Sequence, residues 1–276
     1  MVWAQPAKEE KDVREEAEEA RRAMDVFLRQ EKVLIRRGEL WLELDSFYST
    51  DTRDDFVVAG FTDFGKVTTQ AAETSLVARY GLLNNLEFDL RVPFAWVSQE
   101  LDVGVTRLRS EDSGLGDVTA SLKLQVWREG PGTPDISLSL DGRAPTATAS
   151  LLGSGHWGVG ATIGLVKTLD PVVLFGRVGY LATVGDGGRD FGDVVAYQFG
   201  IGYSLNDRVS LTTQLTGGVV VNGGENFRGS NRDFYSLQFS VTVLVTKHLF
   251  MEPFVSVGLS QNAPDVVVGL SLPYRF

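Results

Sequence analysis

Charged side chains recur at every second position in several stretches of this chain, which is the spacing of one face of a β-strand and not of a catalytic set. The clearest runs are Glu43 and Asp45, then Glu87, Asp89 and Arg91, then Asp141 and Arg143. Glu73, Arg79, Lys123, Arg177, Glu252 and Arg275 occupy the same kind of position in other alternating segments. Both signs occur. Such a face suits a wet, enclosed surface on which charges pair across neighbouring strands. The residue sets that make or break bonds are not assembled. The two histidines, His156 and His248, fall in connections expected at opposite ends of the structure, so no shared metal or Ser/His/Asp triad is expected. Gly153 to Gly160 lacks the Gly-Lys-Ser/Thr of a phosphate loop and precedes a strand instead of a helix. Asp51, Asp54, Asp55 and Asp63 are chemically able to hold a divalent cation, but their spacing matches no known loop and a solvated acidic turn is the simpler reading. There is no cysteine, hence no disulfide, thiolate ligand or thiol nucleophile. The expectation is a protein that is not an enzyme and carries neither cofactor nor metal.

The elements that present these charges are expected to be twelve strands, each about as long as a tilted membrane crossing. They read Glu39 to Ser49, Val67 to Tyr80, Leu86 to Val97, Asp117 to Trp127, Asp135 to Arg143, His156 to Thr168, Val172 to Val184, Val194 to Leu205, Val209 to Val221, Asp233 to Thr246, Leu249 to Ser260, and the closing strand from Val266. In the third, Phe88, Leu90, Val92, Phe94 and Trp96 oppose Glu87, Asp89 and Arg91. The connections sort by parity. Gly81 to Asn85, Arg128 to Pro134, Leu169 to Pro171, Asn206 to Arg208 and Lys247-His248 are tight, whereas Thr50 to Lys66, Ser98 to Gly116, Pro145 to Gly155, Gly185 to Asp193 and Asn222 to Arg232 are longer. Short turns at one end and long loops at the other are the pattern of a transmembrane barrel.

A closed barrel also settles which face is which. A dozen strands enclose more space than their side chains fill, so the ionised face belongs to the lumen and the apolar face to lipid. Tyr80, Trp96, Tyr180, Tyr197, Tyr203, Tyr235 and Phe276 are placed as an interfacial aromatic girdle. Phe175, Phe250 and Phe254 are the expected luminal aromatics. The closing strand alternates without a break to its last residue. Its Leu270, Leu272, Tyr274 and Phe276 resemble the terminal signal read by the outer-membrane insertion machinery. The fold class expected is therefore all-β: an antiparallel up-and-down barrel preceded by an α-helical segment.

Length and charge are consistent with this. The chain has 276 residues, 43% of them hydrophobic, with no apolar run near the eighteen of a spanning helix. A net charge of −10 excludes a nucleic-acid partner, which requires a basic footprint. Residues 1–7 read as a leader remnant or disordered start, with Val2 and Ala4 where small residues flank a cleavage site; an ordinary cytosolic start is the alternative. Residues 8–37 are rich in Glu, Arg and Ala, lack Gly and Pro, and are expected to form a helix ended by Gly38. Residues 38–276 form the barrel. Val13, Ala17, Ala20, Met24 and Phe27 follow a short coiled-coil seam that Glu31 interrupts.

Five stretches carry a family resemblance: Arg37-Gly-Glu-Leu-Trp-Leu-Glu-Leu-Asp45, Arg79-Tyr-Gly-Leu, Leu86-Glu-Phe-Asp-Leu-Arg-Val-Pro-Phe94, Gly114-Leu-Gly-Asp-Val118, and Leu152-Gly-Ser-Gly-His-Trp-Gly-Val159 leading into Lys167 and Leu169. Together they resemble the outer-membrane transporter family associated with the MetA pathway of phenol degradation. The resemblance implies a channel for small aromatic or hydrophobic solutes, seated among outer-membrane lipid and lipopolysaccharide; the even strand count puts both barrel ends on one side, and both termini are expected to be periplasmic. The helix-plus-barrel order also resembles the Fap-type exporter of functional amyloid. That resemblance implies a secretion pore for an unfolded polypeptide, a homotrimer, and a luminal plug made of Met24, Phe27, Leu28, Arg29, Lys32, Leu34, Arg36 and Arg37. A helix that only docks a partner in the periplasm, and a closed structural barrel, stay open as readings of the same residues.

Overall fold

The alternation is realised as one antiparallel sheet closed on itself. The computed structural model describes residues 34–57, 64–103, 106–184, 192–221 and 233–276. Its strands are β1 (Leu40–Val57), β2 (Phe64–Leu83), β3 (Leu86–Val103), β4 (Thr106–Leu115), β5 (Val118–Trp127), β6 (Asp135–Ala144), β7 (Trp157–Leu169), β8 (Val172–Val184), β9 (Asp193–Asn206), β10 (Val209–Val221), β11 (Asp233–Leu244), β12 (Phe250–Gly258) and β13 (Val266–Arg275). Apart from β4 and β5, neighbours in sequence pair antiparallel, and β13 pairs with β1 from Trp41 opposite Arg275 to Thr50 opposite Val266, which closes the ring. Closure leaves no unpaired edge, the condition for crossing a bilayer with strands.

β4 and β5 follow one strand path along β3, β5 making the crossing and β4 continuing beyond it. Both lie along β3, the first beside Phe94–Val103 and the second beside Leu86–Arg91. The barrel therefore has twelve crossings. The interruption falls at Gly116-Asp117, where the Gly116 N–H still donates to the Pro93 carbonyl at 3.0 Å. The Asp117 carboxylate accepts from the backbone N–H groups of Ala147 (3.2 Å) and Ser154 (2.7 Å) and from the Ser154 hydroxyl (2.8 Å). These bonds fasten the 145–156 connection over the junction.

Two of the long loops expected from sequence are largely strand. β1, β2 and β3 run to 18, 20 and 18 residues, well beyond the roughly 9–11 that a crossing needs. The Thr50–Lys66 and Ser98–Gly116 stretches thus extend the sheet past the membrane as paired ribbons. Their charges conceal this: on the exposed β3–β4 ribbon Arg107 bonds Asp102 across the strands (2.7 Å) and Arg109 bonds Glu111 along β4 (2.9 Å), so charged pairs interrupt the apolar alternation.

The outer face is the apolar one. Leu140, Val159, Trp157 and Phe276 stand more than half exposed, an arrangement that only a lipid environment stabilises. Tyr274 and Phe276 meet edge-on at 4.8 Å, with His248 beside Tyr274. Leu270 and Leu272 share that face by alternation.

The helix expected to run to Arg37 does not reach it: residues 34–36 have no regular structure, and Arg37-Gly38 form a turn. The chain must bend over the barrel rim into β1. Gly38 does so at φ +81° and donates its N–H to the Gly81 carbonyl at 2.7 Å. Met24, Phe27, Leu28, Arg29 and Lys32, with the rest of the expected helix and seam, lie outside the described residues.

Candidate functional site: the barrel lumen

The lumen is built by the inward half of each strand's alternation. A cavity of about 650 Å³ at mid-height is lined by Asp45, Asp89, Arg91, Lys123, Asp141 and Arg177, together with neutral side chains. Alternation from these positions puts Glu43, Glu73, Arg79, Glu87, Arg143, Glu252 and Arg275 on the same inward face.

The charges are organised by partner. Arg91 spans β2 to reach Asp45 on β1 (3.0 Å) and also meets Glu73 on β2 (3.2 Å). Arg79 meets Glu87 through two nitrogens, at 2.7 and 3.0 Å, and Asp89 at 3.8 Å. Asp141 accepts from the Ser121 and Thr162 hydroxyls, Glu43 from Ser271 and Glu252 from Thr242. A carboxylate in a narrow lumen is costly unless it is bonded in this way. The other wall differs in kind. From β9 to β11 the cavity meets Gln198, Gln214, Thr216 and Gln238, all neutral, with Arg177 and Phe175 on β8 at its border.

The tight-turn end of the lumen is dense. Glu87, Phe250 and Ile35 have no exposed surface, and Trp41 has 2%. Trp41 stacks on Phe250 with ring centroids 5.8 Å apart. Among the luminal aromatics, Phe250, Phe254 and Phe175 were legible from sequence, but Trp41 was not. It sits between Leu40 and Leu42 in an apolar run, and only its parity with Glu43 marks it as inward. Ile35 enters this end of the lumen: its backbone N–H donates to Glu87 Oε2 at 2.6 Å, so the Arg79–Glu87 pair also holds the segment that leads into β1. Gly81 makes room for that segment, since a Cβ there would stand 1.9 Å from the Arg36 carbonyl oxygen. Of the plug residues named from sequence, Leu34 is buried and Arg36 and Arg37 are exposed.

No three His, Asp or Glu side chains converge as a metal set among the described residues. His248 lies in the β11–β12 turn, its Nδ1 bonded to the Arg275 carbonyl at 3.0 Å, and His156 precedes β7 at the other end. Asp51 is engaged by Arg53 at 2.9 Å, while the side chains of Asp54, Asp55 and Asp63 lie outside the described residues.

A closed antiparallel ring with a lipid-facing apolar band and an ionised, cavity-bearing interior defines the class of outer-membrane β-barrels. Residues 50–276 match the family described as "Putative MetA-pathway of phenol degradation", and the chain belongs to that family. Its fold is similar to an outer membrane channel from Pseudomonas putida F1, at 17% identity and a TM-score of 0.70, over 89% of this chain and 98% of that one. It is also similar to the transport unit of the autotransporter AIDA-I from Escherichia coli (10% identity, TM-score 0.55, 94% and 99% covered). The NanC porin is a third such structure (10% identity, TM-score 0.53, 84% and 100% covered).

Proposed function

We propose that this protein is an outer-membrane channel for small solutes of aromatic or hydrophobic character, gated from the periplasmic side by the segment preceding β1. The observation that carries the reading is the roughly 650 Å³ cavity inside a closed, lipid-facing barrel, walled by charges that already have partners and by neutral amides and hydroxyls. Such a lining hydrates a passing solute without trapping it, which conduction requires. Membership of a family named for phenol degradation supports the aromatic character of the solute, and the Pseudomonas putida F1 structure of like fold is itself described as an outer membrane channel.

In this reading both termini are periplasmic, because the tight turns, the segment leading into β1 and the C-terminus share one rim. Residues 8–37 act as the gate, residues 38–276 as the conduit. Leu270, Leu272, Tyr274 and Phe276 are what the insertion machinery recognises, and lipid and lipopolysaccharide are the other partners. The burial of Ile35 and its bond to Glu87 support the gate, since they fasten the described segment before β1 inside this end of the barrel.

Reconstitution tests the conduit. Proteoliposomes in isotonic neutral solutes of graded size should swell, faster for the smaller solutes, and faster still when residues 1–37 are deleted. Swelling no faster than protein-free vesicles, from either form and with the barrel shown folded by its heat-dependent gel shift, would contradict the channel and favour a sealed structural barrel.

A further inference from the structure

We propose that Arg177, Phe175 and the adjoining glutamines form a binding station in the lumen for a small aromatic carboxylate. The proposal rests on the channel reading and names the solute class that it would select.

Phe175 and Arg177 are two residues apart on β8, so both point inward, about 7 Å apart along the strand. The Phe175 ring reaches over β9, where a Cβ on Gly200 would stand 2.2 Å from its Cζ; glycine there lets the ring lie down against the wall while it lines the cavity. Arg177 is exposed to the lumen, and its cross-strand partner is Gln198. The Gln198 amide donates to Gln214, which pairs in turn with Gln238 on β11. Arg177 and Gln198 thus share one register row, and Gln214 and Gln238 lie in the next, the row of Phe175, so the guanidinium and the amides border one stretch of neutral wall.

This arrangement selects by chemistry. A planar guanidinium matches a planar carboxylate through two parallel hydrogen bonds. The amides supply further donors, and Phe175 offers a ring one strand-repeat away on which an aryl group can stack. Of the acids that line the cavity, Asp45 is engaged by Arg91, Asp89 lies 3.8 Å from Arg79, and Asp141 accepts from Ser121 and Thr162. A neutral aryl alcohol would gain the stacking without the fork. A sugar acid would gain the fork without the stacking.

Saturation-transfer NMR on the detergent-solubilised full chain, with protein-free micelles subtracted, separates these cases. Benzoate, benzyl alcohol and glucuronate are the probes. Benzoate should give the strongest transfer, and its affinity should fall about tenfold in Arg177→Gln, partly recover in Arg177→Lys, and stay unchanged in Arg128→Gln, an exposed turn residue. Phe175→Leu should weaken benzoate and leave glucuronate unaltered. Benzyl alcohol binding as well as benzoate, or benzoate binding undiminished in Arg177→Gln, would overturn the carboxylate assignment. Glucuronate binding as well as benzoate would overturn the aromatic one. Swelling by neutral solutes without selective benzoate binding would sink the station and leave the channel; benzoate binding without swelling would do the reverse.

Discussion

Glu87 is the residue on which most of the tight-turn rim depends. It has no exposed surface, accepts two bonds from Arg79 and takes the Ile35 N–H. Removing one partner of a buried ion pair leaves the other charge uncompensated, at a cost of about 3–5 kcal/mol. Glu87→Ala should therefore lower urea stability by that order and speed amide exchange at Ile35. Unchanged exchange at Ile35 would show that Glu87 does not hold the segment. Glu129, in the turn before β6, offers a pH test. Burial alone would push its carboxyl up, but the Thr168 N–H and hydroxyl and the Lys167 ammonium outweigh burial and hold it below the usual range. A depressed carboxyl stabilises fully above its ordinary value, about 4.3, and that contribution is lost as pH falls through the lower folded value. The Thr168 amide should lose protection on acidification through that window in the native protein, and Glu129→Gln should show no such step. At this scale the alternation made the luminal charges readable, but their partners were not. Arg91 reaches Asp45 across an intervening strand, and sequence order carries no sign of that contact.

Elements were more legible than residues. Every crossing was marked by period-two alternation and bounded by tight turns, because one face meets lipid and the other water. The alternation failed where no lipid is present. The β1–β2 and β3–β4 ribbons beyond the membrane carry charged residues among their apolar ones, which breaks the alternation, and they read as loops. The Gly116-Asp117 break was equally hidden, since its cause is the 145–156 connection docking on Asp117. Asp117→Ala should free that connection, seen as new chymotrypsin cleavage at Leu151 or Leu152 in intact outer membranes. Resistance equal to the native protein would mean that the carboxylate is not the clasp. At the rim, Gly81→Ala would drive a methyl into the Arg36 carbonyl. It should loosen the segment before β1 and raise channel open probability without altering the closed sheet.

The whole molecule is a ring that separates two solvents, and its net charge of −10 is tolerated because the luminal acids are bonded within the wall. In the proposed channel, the conduit is closed at the periplasmic end by the chain that leads into β1. Single-channel recording in planar bilayers tests this most directly, comparing the full chain with a form lacking residues 1–37. The expected result is a small or flickering current from the full chain and a larger, steady one from the truncated barrel. Equal currents from both forms would contradict the gate, and silence from both, with each shown folded, would contradict the channel itself.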